Sequence, residues 1–106
     1  MAKIRVYQPT EEHFAEVKRI IDEEELNPTG SDLQNLYRCV LETEEMSLPA
    51  TYTEEDILID SIEGMVNASS NKLRNLGPYD VIEIQNKGNN KQILLLADDE
   101  YEVITD

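Results

Sequence analysis

The sequence predicts a small α+β domain in which an antiparallel or mixed sheet, formed mostly by the C-terminal third, packs against two helices. Two segments repeat apolar residues at helical spacing, and short apolar runs separated by turn-forming residues follow Pro78. The chain has 106 residues, 40% of them hydrophobic, which is enough for one domain with one core. We therefore expect a single α+β domain over residues 1–106.

The N-terminal part of the sequence predicts a strand followed by a helix. Ile4–Tyr7 alternates apolar and polar residues and is followed by Pro9. Thr10 is a suitable N-cap for a helix that ends near Leu26, before the helix-breaking segment 27–30. The residues expected on the buried face of this helix are Phe14, Val17, Ile20 and Ile21.

The segment Asp32–Leu41 is compatible with either a helix or a strand. Its apolar side chains recur at helical spacing, but Tyr37–Leu41 also alternates, with Tyr37, Cys39 and Leu41 on one face. The aromatic and β-branched residues of Tyr37–Leu41 favour a strand there. We expect a connecting loop over 42–51, since this stretch is polar and contains a proline.

A second helix and a set of strands complete the expected core. Thr53 is the expected N-cap of this helix, and Asp56 stands in the place of a capping-box acid. The buried stripe of the helix is expected to consist of Leu58, Ile59, Ile62, Met65 and Val66. Strands are predicted over Val81–Ile84, Ile93–Ala97 and Tyr101–Ile104, with a hairpin turn over Asn86–Asn90.

Negative charge is concentrated in the middle of the sequence. The chain has a formal net charge of −14, and the segment from Ile20 to Glu63 holds thirteen carboxylates against one basic residue, Arg38. Charge of this sign disfavours direct binding to nucleic acid or to an anionic membrane. It fits either a surface that docks on the basic surface of a host protein or a domain that is kept soluble by its acidity.

The docking hypothesis assigns partner binding to an acidic face with apolar anchors beside it. The acids of this face are Asp22, Glu23, Glu25, Glu42, Glu44, Glu45, Glu54, Glu55, Asp56, Asp60 and Glu63. The candidate anchors are Met46, Leu48 and Tyr52. Acids on two helices and the loop between them would approach the charge density of a DNA duplex, about one charge per 1.7 Å. The protein is therefore a candidate DNA mimic that inhibits a nucleic-acid-handling or defence enzyme.

The C-terminal third resembles YodL-like domains. The resemblance rests on the segment Leu-Gly-Pro-Tyr-Asp-Val-Ile-Glu-Ile at 76–84, a polar turn with Gly88, an apolar strand and the segment 98–104. The sequence Val6-Tyr7-Gln8 and the helix start Thr53–Ile57 are also similar to that family. Such domains are common in phages and on bacterial mobile elements. The resemblance implies an accessory, non-catalytic protein and names no site.

No residue pattern in the sequence predicts catalysis, a cofactor or a metal site. Asp56, Asp60 and Glu63 would share one helix face, but a hard cation needs six or more oxygen ligands and no calcium-loop motif is present. The acidic run Asp98–Glu100 is equally well explained as a charged turn. Cys39 and His13 come with no glycine-rich oxyanion loop.

The leading hypothesis is a non-enzymatic phage or mobile-element accessory protein that binds a partner protein through its acidic face. The alternative is a structural or regulatory domain whose acidity serves only solubility, and a metal-dependent enzyme ranks last. A single cysteine, no signal-peptide pattern and no apolar run of membrane-spanning length together predict a cytoplasmic protein.

Overall fold

The fold is a five-stranded antiparallel sheet with helices on both faces. The structure, a computed structural model, describes residues 2–28, 30–43, 55–86, 89–96 and 100–105. The strands are β1 (Ala2–Pro9), β2 (Tyr37–Glu42), β3 (Val81–Asn86), β4 (Asn89–Leu95) and β5 (Tyr101–Thr105). Their order across the sheet is β2-β1-β3-β4-β5. The predicted α+β class is confirmed, and three of the five strands come from the C-terminal third.

The two predicted helices occur in the predicted order, and a short third helix lies between them. The first helical segment combines a 3₁₀ turn (Glu11–His13), helix α1 (Phe14–Lys18) and a π-helical turn (Arg19–Glu23). Helix α2 (Gly30–Asn35) precedes β2, and helix α3 (Glu55–Asn67) precedes the long connection to β3. The segment around 32–41 therefore holds both structures that its periodicity allowed, a helical turn and then the favoured strand.

The sheet buries side chains on both of its faces. Helix α3 covers one face, in a core formed by Ile4, Val6, Val40, Leu58, Ile62, Val66, Leu76, Ile82, Ile84, Ile93 and Leu95. The first helical segment and α2 cover the other face, in a core formed by Val17, Ile21, Leu33, Leu36, Tyr37, Val81 and Leu94. Because successive strand residues point to opposite faces, the neighbours Val81 and Ile82 enter different cores. The predicted continuous apolar strands are therefore internal, with a helical layer on each side.

A bulge in β2 changes the predicted face of Leu41. Val6 pairs with Leu41 whereas Tyr7 pairs with Cys39, so Val40 is an extra residue on β2. The extra residue interrupts the alternation of side chains along the strand. As a result Val40 and Leu41 both pack toward the core under α3, although simple alternation placed Leu41 on the face of Tyr37 and Cys39. Cys39 keeps the face of Tyr37 and is exposed on this edge strand.

The predicted buried stripe of α3 is too wide by one residue. Leu58, Ile62 and Val66 are fully buried, but Met65 is 39% exposed, so its predicted burial is wrong. At 100° per residue, Ile59 and Met65 lie about 60° from Ile62 on opposite sides of the helix. Ile59 packs against the core whereas Met65 does not, because a single helix resting on a sheet buries its central row and one flank.

Replacing Ile62 by alanine should remove a large part of the stability of the domain. Ile62 is 1% exposed, and a fully buried Ile→Ala change costs about 2–5 kcal/mol. The matched control is Met65→Ala on the same helix, which should change the free energy of unfolding by less than about 1 kcal/mol. Urea denaturation of both variants measures the difference. Equal losses would contradict the placement of α3.

Candidate functional site

Two clefts lie at the end of the sheet where β4 finishes and β5 begins. Cleft A, on the α3 side, has a volume of about 570 Å³ and is lined by Ile59, Asp60, Glu63, Leu76, Gly77, Pro78, Leu95, Leu96, Glu100 and Tyr101. Cleft B has a volume of about 370 Å³ and is lined by Ile21, Asp22, Glu25, Leu26, Asn27, Leu94, Leu96, Glu100 and Glu102. Both clefts share Leu96 and Glu100, so they meet at this end of the sheet.

The two clefts open on opposite faces of the sheet. Leu95 lines cleft A and belongs to the core under α3, while its neighbour Leu94 lines cleft B and belongs to the other core. The same alternation continues on β5, where Tyr101 lines cleft A and Glu102 lines cleft B. The end of the sheet is thus flanked on each face by a depression with an apolar floor.

The walls of both clefts are acidic. Their carboxylates are Asp22, Glu25, Asp60, Glu63, Glu100 and Glu102. Among the described residues that line them there is no lysine, arginine or histidine. Leu26, on the wall of cleft B, is 56% exposed. An acidic wall over an apolar floor is suited to lysine and arginine, whose side chains have an apolar stem and a charged end.

The structure divides the predicted acidic face between several places. Asp22 and Glu25 lie at cleft B, and Asp60 and Glu63 lie at cleft A. Glu23 is exposed in the π-helical turn beside Asp22. The backbone of α3 begins at Glu55 and Asp56. The remaining predicted residues lie outside the described part of the chain; they are Glu44, Glu45, Met46, Leu48, Tyr52 and Glu54.

Glu42 lies at the other edge of the sheet and is paired with basic side chains. Its carboxylate is 3.1 Å from Lys3 Nζ and 2.9 Å from Arg5 Nε, and Arg5 Nη1 also lies 3.2 Å from Glu83. The hydrogen bond from Arg5, followed by that from Lys3, lowers the pKa of Glu42. Four inter-strand spacings separate β2, which carries Glu42, from β5 at the clefts, a distance of about 19 Å. The charge of Glu42 is compensated locally, whereas no described basic residue forms an ion pair with a cleft carboxylate.

Asp22 is held in place at cleft B by Tyr79. The Tyr79 hydroxyl donates to Asp22 Oδ2 at 2.6 Å, and this hydrogen bond raises the pKa of Tyr79 to about 12. Tyr79 has a φ of 73°, a strained conformation for a bulky residue that costs of the order of 1–3 kcal/mol. Three contacts stabilise it: its amide donates to Leu95 O at 2.8 Å, its carbonyl accepts from the Tyr37 hydroxyl at 2.8 Å, and its ring packs edge-on to Phe14.

A buried polar cluster fixes the connection between α3 and β3, which forms one wall of cleft A. Gln8 Nε2 donates to Arg74 O at 2.8 Å and to Asp80 Oδ2 at 2.9 Å, and Gln8 Oε1 accepts from the Leu73 amide at 2.8 Å. The Gly77 amide also donates to Asp80 Oδ2, at 3.0 Å. Gln8 and Asp80 are both fully buried. These bonds tie the connection, including the cleft residue Gly77, to strand β1.

Asp80 is poised between its neutral and charged forms near neutral pH. Burial raises its pKa to about 7, although Gln8, the Gly77 amide and the nearby Arg74 favour the charged form. Asp80 Oδ1 and Arg74 Nη1 are buried without a hydrogen-bond partner among the described residues. Arg74 keeps its position by donating to Pro9 O at 2.8 Å and by lying 5.0 Å above the centre of the Phe14 ring.

Sequence reasoning missed this cluster and the contribution of β5 to the acidic walls. The only sequence signals were Gln8, which continues the apolar side of the alternation Ile4, Val6, and Asp80, which directly precedes an apolar strand. Neither residue reveals its partner, because the two are 72 positions apart in the chain. Glu100 and Glu102 join acids from the first helical segment and α3 only once the sheet has formed.

Other chemistry considered from the sequence finds little support in the described residues. No three histidine, cysteine, aspartate or glutamate side chains lie close enough there to hold a metal ion. His13 Nδ1 lies 2.8 Å from Thr10 Oγ1, and Cys39 Sγ donates to Leu41 O, so neither side chain bonds to the other. Within the same residues, no helix combines the length and apolar character needed to cross a membrane.

Comparison with known proteins gives no relative for this chain. No protein-family model, curated protein or solved structure matches it. The resemblance to YodL-like domains therefore stays a prediction.

The buried carboxyl of Asp80 predicts a specific pH dependence of stability. Because its pKa in the folded protein is raised to about 7, its contribution is greatest below about pH 4 and is lost as the pH rises through 7. The loss is at most about 1.4 kcal/mol per pH unit over that range. Asp80→Asn should remove it, so urea denaturation at pH 5.5 and pH 8 should show a smaller decrease for this variant than for the wild type.

The matched control is Asp60→Asn, which removes one carboxylate from an exposed position on α3. This control separates the effect of Asp80 from the general relief of negative charge. It should keep the wild-type dependence on pH. Parallel stability curves for the wild type and Asp80→Asn would contradict the assignment of a neutral, buried Asp80.

Proposed function

We propose that this protein binds another protein through the acidic surface around clefts A and B. The observation that supports the proposal is the convergence of six carboxylates, none of which forms an ion pair with a described basic residue, on two apolar-floored clefts at one end of the sheet. The partner contributes a basic surface whose lysine or arginine side chains enter the clefts. The protein itself is non-enzymatic and acts as an accessory factor of a phage or mobile element.

The distribution of charge favours docking over an acidity that serves only solubility. Solubility requires net charge but no particular position for it. In this fold Glu42 is paired with Lys3 and Arg5, and Glu24 is paired with Arg19, whereas no ion pair joins a cleft acid to a described basic residue. The cleft acids instead surround apolar surface that includes the exposed Leu26. Apolar surface within a charged rim is typical of binding sites.

One specific version of the proposal is charge mimicry of nucleic acid. An enzyme that handles nucleic acid carries a basic groove that neutralises phosphates, and such a groove is complementary to a surface of this sign. Occupation of the groove would inhibit the enzyme. In this version, duplex DNA and the protein compete for the same site on the partner. A competition assay that measures displacement of duplex DNA from a captured enzyme tests this.

Removing charge at the clefts should abolish capture of the partner. The test variant is Glu63→Gln/Glu100→Gln/Glu102→Gln, and the control is Glu11→Gln/Glu12→Gln/Glu16→Gln. All six residues are exposed, and both variants lose three negative charges. At about 50 mM salt the wild type and the control should retain the same host protein. The cleft variant should retain at least tenfold less of that protein than the wild type. Raising the salt to about 0.5 M should release the partner from the wild type, because screening shortens the range of the attraction.

Two results would contradict the proposal. Equal loss of binding in the two variants would mean that net charge, rather than the clefts, controls the interaction. Retention that is indifferent to salt would mean that the partner does not recognise the acidic surface. Circular dichroism and urea denaturation of each variant confirm that the fold is unchanged before binding is compared.

A further inference from the structure

Strand β5 forms one edge of the sheet, between the two clefts. It pairs with β4 only, in the register Lys91 with Thr105, Ile93 with Val103 and Leu95 with Tyr101. Among the described residues no strand covers its outer side. Val103, at its centre, is 37% exposed. An exposed sheet edge is a template on which an extended segment of another protein can add a strand.

The hydrogen bonds of β4 show which groups of β5 point outward. The Leu95 amide donates to Asp80 O, and Leu95 O accepts from the Tyr79 amide, so the backbone groups of Leu95 point away from β5. The next amide, that of Leu96, donates to Glu100 O at 2.8 Å. Backbone groups alternate between the two edges of a strand. Glu100 and Glu102 therefore bond toward β4, whereas the amide and carbonyl of Val103 and Thr105 point to the open edge.

The side chains around this edge indicate the chemistry of the added strand. A strand paired with β5 sends successive side chains to opposite faces of the sheet. A residue opposite Val103 covers its exposed apolar surface. Two successive residues beyond it, near Glu102 and Tyr101, reach cleft B and cleft A respectively. Since both clefts are acidic, an apolar residue followed by two successive basic residues complements this edge.

We propose that the partner binds by adding a cationic extended segment to the open edge of β5, with successive basic side chains in clefts A and B. This inference rests on the proposed function and names the mode of binding at the same site. A second copy of this chain does not fit the position, because its net charge of −14 and Glu102 on the edge strand oppose self-pairing. The backbone of β5 thus supplies affinity, and the clefts supply preference for basic side chains.

The test uses a capped synthetic heptapeptide, Thr-Thr-Val-Lys-Lys-Thr-Thr, and two N-methylated forms of it. One form is methylated at alternate odd-numbered positions and the other at even-numbered positions, so each loses the amide donors along one edge of the peptide strand. All three peptides have the same side chains and charge. One methylated form should bind at least about tenfold more weakly than the parent, since two or more hydrogen bonds are lost, while the other binds within about twofold.

Amide hydrogen exchange of the wild-type protein provides a second measurement. Exchange at Val103 and Thr105 should slow at least about tenfold when the parent peptide is added, because their outward amides become hydrogen-bonded. The Val103→Pro variant removes one outward donor without removing a bond to β4 and should weaken peptide binding, whereas Val103→Thr keeps the amide and should not. If Val103→Pro fails to fold, the exchange measurement alone decides.

The possible outcomes separate this inference from the proposed function. Equal, salt-sensitive binding of both methylated peptides, with unchanged exchange at Val103, would overturn strand addition and leave docking on the acidic surface intact. Absence of binding by the parent peptide would also overturn strand addition, while the capture experiment with the cleft and control variants judges the proposed function by itself. Loss of binding by one methylated form with slowed exchange would support the inference.

Discussion

A sheet that is apolar on both faces must be covered on both faces, and this constraint organises the whole molecule. β3 and β4 present Ile82 and Ile93 to one core, and Val81 and Leu94 to the other. Burial of apolar surface stabilises the fold by roughly 25 cal/mol for each Å² removed from water. Burying both sets of side chains therefore requires a helical layer on each face of the sheet. The chain provides α3 for one face and the first helical segment with α2 for the other. Each layer brings its acids to a different side of the sheet.

The position of the acidic site follows from this arrangement. Asp22 and Glu25 reach the end of β4 from one face, and Asp60 and Glu63 reach it from the other. Glu100 and Glu102 lie between them, at the start of the edge strand. At the opposite edge of the sheet, the ion pair with Arg5 compensates Glu42. Six of the acids of the chain therefore share one edge of the sheet, where the proposed docking and strand addition use the same surface.

The buried cluster of Gln8, Arg74 and Asp80 links this surface to the centre of the sheet. Its hydrogen bonds hold the α3–β3 connection, and Tyr79 in that connection holds Asp22. A fully buried carboxyl with one oxygen that has no partner among the described residues costs about 1–3 kcal/mol for each unsatisfied group. The neutral form reduces that cost, which explains why its pKa is raised so far above the ordinary value for aspartate.

The α+β class, the strands of the C-terminal third and the helix over 55–67 could be predicted from the sequence, because they depend on local periodicity and turn residues. The sequence also located the block of negative charge. Contacts in the folded chain were needed to show that the bulge at Val40 turns Leu41 toward the core under α3, that Met65 is partly exposed, and that Gln8 meets Asp80. Those outcomes depend on strand register and on contacts between residues distant in sequence, which periodicity does not encode. The same reason explains the site: acids spread over 81 positions, from Asp22 to Glu102, become one surface only when the sheet brings β4, β5 and two helical layers together.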